Sequence, residues 1–225
     1  RHTRYISVTG VQTCALPISN MDAPLGVACG NANEIEESVE MLMGRGPADL
    51  RKLTLRIAAE MLVLGRVDST LEAAEERAGR AVASGAALER FRAIVEAQGG
   101  DPRVCDSPTT VLAQPAVREP FLADRDGIVQ RVEPRAVGKG ITAMGGGRHT
   151  MADVVDPSVG FRLMARPGDV VHVGEPLAII EAFFASYPRK SMTSPVSLYA
   201  RFSKRFLFLA LAFSRIRSIF CSETP

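Results

Sequence analysis

The chain has 225 residues, 46% hydrophobic and 23% charged, which is the composition of a globular protein with a real core. Nine of its 27 basic residues lie in 1–19 and 183–225 against the single acid Glu223; residues 20–182 therefore carry 18 basic and 24 acidic residues, giving no electrostatic reason to expect nucleic acid. Cys14, Cys29, Cys105 and Cys221 form no CxxC pair and have no histidine at ligand spacing, which argues against zinc and a disulfide framework and for reduced thiols in a cytoplasmic protein.

Residues 1–19 contain an Arg-flanked, mildly apolar stretch, VTGVQTCALPI. Thr9, Gly10, Gln12, Thr13 and Pro17 interrupt the continuous apolar run that a secretory signal requires. Gln12 and Thr13 before Cys14 do not suit a lipoprotein signal. From Asn31 onward local signals agree with hydrophobic period. Asn33 and Glu36 form a capping-box pattern, Ile35, Val39 and Leu42 recur at helical spacing, and Gly44 is a stop. A second helix is expected from Pro47, with Leu50, Leu53, Ile57, Met61 and Leu64 facing inward and Gly65 past its end. Ser69–Glu72 opens an alanine-rich third helix ending at Gly85. A fourth runs over 86–98, with Leu88, Phe91 and Val95 inward and Gly99-Gly100 as terminator. These faces need a larger structure to cover them.

Pro102, Pro108, Pro115 and Pro120 mark 101–119 as a connector. Strand-like segments follow at 127–129, 160–164, 170–171 and 177–180, separated by turn signals, so residues 120–182 are expected to form a small, mainly β, antiparallel domain. Beyond it, FLFLALAF at 206–213 is far shorter than the roughly 20 residues needed to cross a bilayer. A basic amphipathic helix lying on a membrane through 201–220 is the membrane-associated alternative.

Three stretches could carry chemistry. The cluster Ala143-Met144-Gly145-Gly146-Gly147-Arg148 could cradle an anion, but it lacks the Lys-Ser/Thr of a P-loop and reads first as a glycine turn. His149 and His172 have no partner at fixed spacing. Residues 166–182 resemble the half-repeat of biotinyl and lipoyl carrier domains. Phe183-Phe184 follows where a carrier needs its lysine, so that fold is expected without the carrier function; a non-enzymatic binding module remains the alternative.

The third stretch is MDAPLGVACGNANEIEESVEML, residues 21–42. It resembles a signature segment of the pyrimidine nucleoside phosphorylases, the group that includes thymidine phosphorylase. The likeness continues in order through Gly46–Leu50, Ala59–Leu62, Val95–Gly100, Ala143–Arg148 and Asp156–Gly160, covering about 20–182. The resemblance implies an α+β chain: a helical part of a central α/β domain (20–100), then a C-terminal α+β domain of hammerhead or barrel-sandwich type (120–182). It implies a pentosyltransferase that cleaves pyrimidine (deoxy)nucleosides with phosphate, giving base and (deoxy)ribose 1-phosphate, as a homodimer. The family's Lys-x-Ser-Thr-Gly-Gly phosphate loop is absent from this sequence, and no Ser-x-x-x-Lys base-binding element occurs within 20–182. Both are expected upstream in family order, so the chain reads as an inactive C-terminal fragment without catalytic residues. Its dimer-forming helices are expected upstream as well.

One family site maps onto this chain: a structural potassium ion held by the carbonyls of Leu25 and Ala28 and the carboxylate of Glu37, with its remaining ligands expected in the missing loop. Oxygen donors of this kind suit a hard cation. Finally, VTGVQTCALPI resembles the translation of a sequencing-library adapter. Residues 1–19 are thus expected to be a foreign, disordered leader, and 183–225 a frameshifted basic tail.

Overall fold

The computed structural model describes residues 22–182. Expectations placed on 1–19 and 183–225, including the leader and the apolar run at 206–213, lie outside these residues. The chain is α+β and divides into two compact units, one containing residues 38–106 and the other 22–37 with 107–182. The sequence reading grouped 20–100 together; 22–37 instead fold with the later segment, because Ala28–Gly30 is a strand of its sheet.

In the first unit, helices α2 (Ala48–Leu64), α3 (Leu71–Ala83) and α4 (Ala86–Ala97) follow one another. Pro47 caps α2 from outside, consistent with a residue that has no N–H to donate. Thr70, not Ser69, caps α3, its hydroxyl accepting from the Ala73 amide at 3.3 Å. Small residues are what these two packed helices bury: Ala59 of α2, and Ala74, Ala78 and Val82 of α3. Arg56 adds ion pairs to Glu60 (2.9 Å) and Glu75 (3.5 Å).

The expected inward face of α2 is covered only in part, with Leu50 and Leu53 half-buried. Ile57 is 42%, Met61 67% and Leu64 43% exposed, because the alanine side of the helix, not the bulky one, meets α3. Helix α4 likewise buries no residue fully; Leu88, Phe91 and Val95 are half-buried. Gly99 and Gly100 do end it, their amides donating back to Glu96 and Val95 carbonyls. The connector holds a 3-10 turn at Pro102–Cys105, fastened to α4 by Arg92, which grips Asp106 at 2.7 Å and the Pro102 carbonyl at 3.1 Å.

The second unit contains a four-stranded antiparallel sheet in the order β1 (Ala28–Gly30), β4 (Gly160–Leu163), β6 (Pro176–Ala182), β2 (Val117–Leu122). A two-stranded antiparallel ribbon pairs β3 (Gly127–Ile128) with β5 (Val170–Val171). Strand β2 begins inside the 101–119 stretch read as connector and contains Pro120, one of the prolines behind that reading; an edge strand tolerates proline because its outer side needs no donor. A short helix, α5, spans Pro108–Val111.

Helix α1 (Ala32–Leu42) begins before the expected cap, so Asn33 lies inside it, buried. Helix α6 (Pro134–Met144) has no counterpart in the sequence reading. Gly138 and Gly140 weaken its helical pattern, although Glu133 caps it and Pro134 opens it. The apolar core gathers around Phe161, Leu163, Val129, Val132, Leu177 and Ile180. Among the described residues, no helix is long and apolar enough to cross a membrane.

One of this sheet's charged residues is fully buried. Glu181 on β6 is 1% exposed, and its carboxylate accepts from Arg118 Nε on β2 (3.1 Å), Arg162 Nε on β4 (3.0 Å) and Asn33 Nδ2 on α1 (3.0 Å). Arg162 also pairs with Glu36 of α1. Burial would lower the Arg162 pKa, but the two carboxylates more than offset it and hold the guanidinium above its ordinary value. Glu181→Ala would leave Arg162 with Glu36 alone and half-exposed Arg118 with Gln114, and would take from Asn33 Nδ2 its carboxylate acceptor, so the expected loss is about 1–3 kcal/mol in urea unfolding followed by far-UV circular dichroism. The half-exposed partner (51% for the Arg118 side chain) should matter less, with Arg118→Ala costing about 1 kcal/mol or under.

Candidate functional site

The segment 25–30 turns into β1 and then enters α1, whose first two turns carry Glu34, Glu36 and Glu37. Positions 34 and 37 share a helix face. Both reach the free side of β1: Glu34 accepts from the Gly30 amide at 2.8 Å, and Glu37 Oε1 accepts from the Val27 and Ala28 amides at 2.8 and 3.1 Å. Carboxylates from the following helix thus satisfy an edge that would otherwise offer unpaired donors.

Gly26 makes the approach of Glu37 possible. Its φ of 69° is a left-handed conformation, and a Cβ there would lie 2.2 Å from Glu37 Oε2.

Of the three cation-site residues expected from sequence, Ala28 and Glu37 are buried and hydrogen-bonded to each other, while Leu25 is 45% exposed at the start of the turn. Ala28 turns its amide to Glu37 on the side away from β4. Its carbonyl shares that side, as in any extended residue. With Oε1 committed to two amides, Oε2 is the oxygen of Glu37 poised over the turn. Backbone carbonyls with one carboxylate oxygen fit a hard cation of low charge. Among the described residues, no three His, Cys, Asp or Glu gather into a metal-binding group.

Other sequence-selected residues stand apart. Gly145 is the left-handed cap of α6 at φ 100°, the Gly146 amide closes back on Ile141, and the Gly146 carbonyl accepts from Asn31 Nδ2 at 3.0 Å. That arrangement is a helix-ending turn. Asp153 organises the adjoining loop: the Thr150 amide and hydroxyl and the His149 amide hold its pKa down to about 2. His172 does have a carboxylate neighbour, Asp126 at 3.6 Å, although both side chains are exposed. Asp126 also accepts from the Val173 amide at 2.7 Å.

Sequence reasoning missed Asn33, Arg118, Arg162, Arg166 and Glu181 as organising groups. Two carried a signal: Arg162 interrupts the apolar segment 160–164 and Glu181 the run 177–184, and a lone charge inside a buried strand requires a partner.

Residues 128–186 match the pyrimidine nucleoside phosphorylase C-terminal domain. A pyrimidine-nucleoside phosphorylase of Staphylococcus haemolyticus (strain JCSC1435) is 39% identical over 173 residues, covering 77% of this chain and 40% of its own length. Another from Bacillus subtilis (strain 168) is 38% identical over 173 residues, and a thymidine phosphorylase from Burkholderia cenocepacia (strain HI2424) is 38% identical over 174, with the same coverage. The chain is therefore homologous to the pyrimidine-nucleoside and thymidine phosphorylase family over part of its members' length, spanning about 40% of these curated relatives.

Gly26→Ala should cost about 1–3 kcal/mol, since it imposes both a strained φ and a collision with Glu37; urea unfolding at constant potassium measures it. A second expectation concerns Cys29, whose thiol is pushed up to about 12, first by burial and then by Glu34 and Glu37, with Arg166 opposing. The folded state holds that proton more tightly than the unfolded one, so the thiol's contribution is complete below about 9 and fades as pH rises toward about 12. Peptide mapping after iodoacetamide at pH 8 should find Cys29 unmodified in the folded chain and alkylated in urea.

Proposed function

We propose that this chain carries part of a pyrimidine nucleoside phosphorylase, a pentosyltransferase that uses phosphate to cleave pyrimidine (deoxy)nucleosides. The carrying observation is the 38–39% identity to pyrimidine-nucleoside and thymidine phosphorylases over 173–174 residues. A phosphate oxygen bonds to C1′ as the C1′–N bond to the base breaks, the electron pair leaving with the base. Such a reaction needs phosphate positioned beneath the sugar and charge stabilised on the departing base. The described residues contribute scaffold to this chemistry, in the form of an acidic helix start fixed against a turn and a sheet locked by Glu181.

In this reading the Leu25 and Ala28 carbonyls and Glu37 Oε2 supply part of the ligand set of a potassium ion, the rest belonging to the family's glycine-rich loop. The ion would neutralise the Glu37 carboxylate and tie the turn to α1. The complete enzyme works as a homodimer in the cytoplasm.

Two measurements test the proposal. The purified 225-residue polypeptide, which lacks a Lys-x-Ser-Thr-Gly-Gly loop, should release no thymine or uracil from thymidine or uridine with phosphate; detectable release would refute its assignment as inactive alone. Residues 21–182 exchanged for the matching segment of the Bacillus subtilis relative should give a chimera that performs phosphorolysis. A folded chimera without activity would count against the family function.

A further inference from the structure

The Gly26–Val27 peptide is gripped at both ends. Its carbonyl accepts from Arg166 Nη2 at 2.7 Å, across 140 positions of sequence, and its N–H donates to Glu37 Oε1 at 2.8 Å. Because a trans peptide directs these two groups oppositely, Arg166 and Glu37 fix its plane from opposite sides. In the next peptide, the Val27 carbonyl accepts from the Leu163 amide at 2.8 Å while the Ala28 N–H donates to Glu37. Both amides thus face the carboxylate, and both carbonyls are held elsewhere. What remains on the Glu37 side is Oε2 and the Ala28 carbonyl, with the Leu25 carbonyl preceding the turn.

Arg166 is itself held in place. It follows Ala165, a buried core residue, and its backbone amide donates to Asp169 Oδ2 at 2.7 Å within the 166–169 turn. The residue is half-buried. A planar fork aimed at one carbonyl is a directional contact that lysine reproduces only in part.

We propose that Arg166 is a positioning residue for the oxygen-donor cation site of Leu25, Ala28 and Glu37: by retaining the Gly26 carbonyl, it selects which backbone oxygens face the ion and so sets affinity and ion preference. The inference rests on the potassium reading above. It makes a prediction opposite in sign to simple electrostatics. A nearby cation repels another, so if charge alone mattered, removing Arg166 would tighten potassium binding. If positioning matters, removal weakens it and blurs discrimination by ionic radius.

The test uses the 225-residue chain, titrated with KCl or NaCl against tetramethylammonium chloride at constant ionic strength, with the thermal midpoint read by far-UV circular dichroism. The wild type should be stabilised more by potassium than by sodium. Arg166→Met should raise the half-saturating potassium concentration on the order of tenfold, the scale of one hydrogen bond to a charged group, and abolish the preference. Arg166→Lys should restore part of that preference, an effect that loss of general packing would not produce; it also serves as the working variant if Arg166→Met does not fold. Unchanged or tighter potassium binding in a folded Arg166 variant overturns the inference while leaving the cation site standing. A wild-type chain with no potassium-specific response, matched by Glu37→Gln, overturns both.

Discussion

The second unit depends on one buried carboxylate. Glu181 sits where β6 passes between β4 and β2, and its three donors come from β2, β4 and α1. A charge this deep is tolerated only when its oxygens are fully engaged, and here each is. Satisfying it fixes the lateral order of the sheet and also locates the start of α1 against β4. Asn33 strengthens that tie by donating to the Phe161 carbonyl at 3.2 Å.

The geometry of the turn at 25–28 follows from this placement. Once Asn33 and Glu36 are anchored, the helix repeat directs Glu34 and Glu37 to the free side of β1. The turn at 25–28 then closes over Glu37, which requires a residue without a side chain at position 26. Helix α1 consequently has two roles: one set of side chains is part of the buried charge network, and another holds the backbone oxygens in order. The acidic character of the helix start is explained by those contacts, with Glu34 and Glu37 serving as acceptors for strand amides.

The helical unit is built differently. Its covered contacts use alanines and surface ion pairs, while Ile57, Met61, Leu64 and Ile94 stay exposed. Isolated ion pairs of this kind contribute little each, so the order of these helices rests mainly on tight glycine turns and small-residue packing. Ile57, Met61, Leu64 and Ile94 add little to it, because burial and not hydrophobicity alone is what stabilises.

Local information was enough for much of this protein. Helices α2 to α4, their glycine stops, and the strands β3 to β6 were legible because caps, prolines and hydrophobic period act within a few residues, whereas β1 and β2 were not read as strands. The family segment at 21–42 singled out Leu25, Ala28 and Glu37, and two of these, Ala28 and Glu37, meet in a hydrogen bond. Tertiary structure decided the rest. Asn33 reads locally as a cap, but burial beside Glu181 makes it a helix residue; Pro120 reads as linker, yet an edge position makes it strand; α6 forms despite two glycines. Whether a bulky apolar face is covered likewise depends on what the chain places against it, as Met61 shows. Arg162, Arg166 and Glu181 acquire their roles only from partners distant in sequence, since charge pairing and peptide orientation are set by distances that folding alone creates.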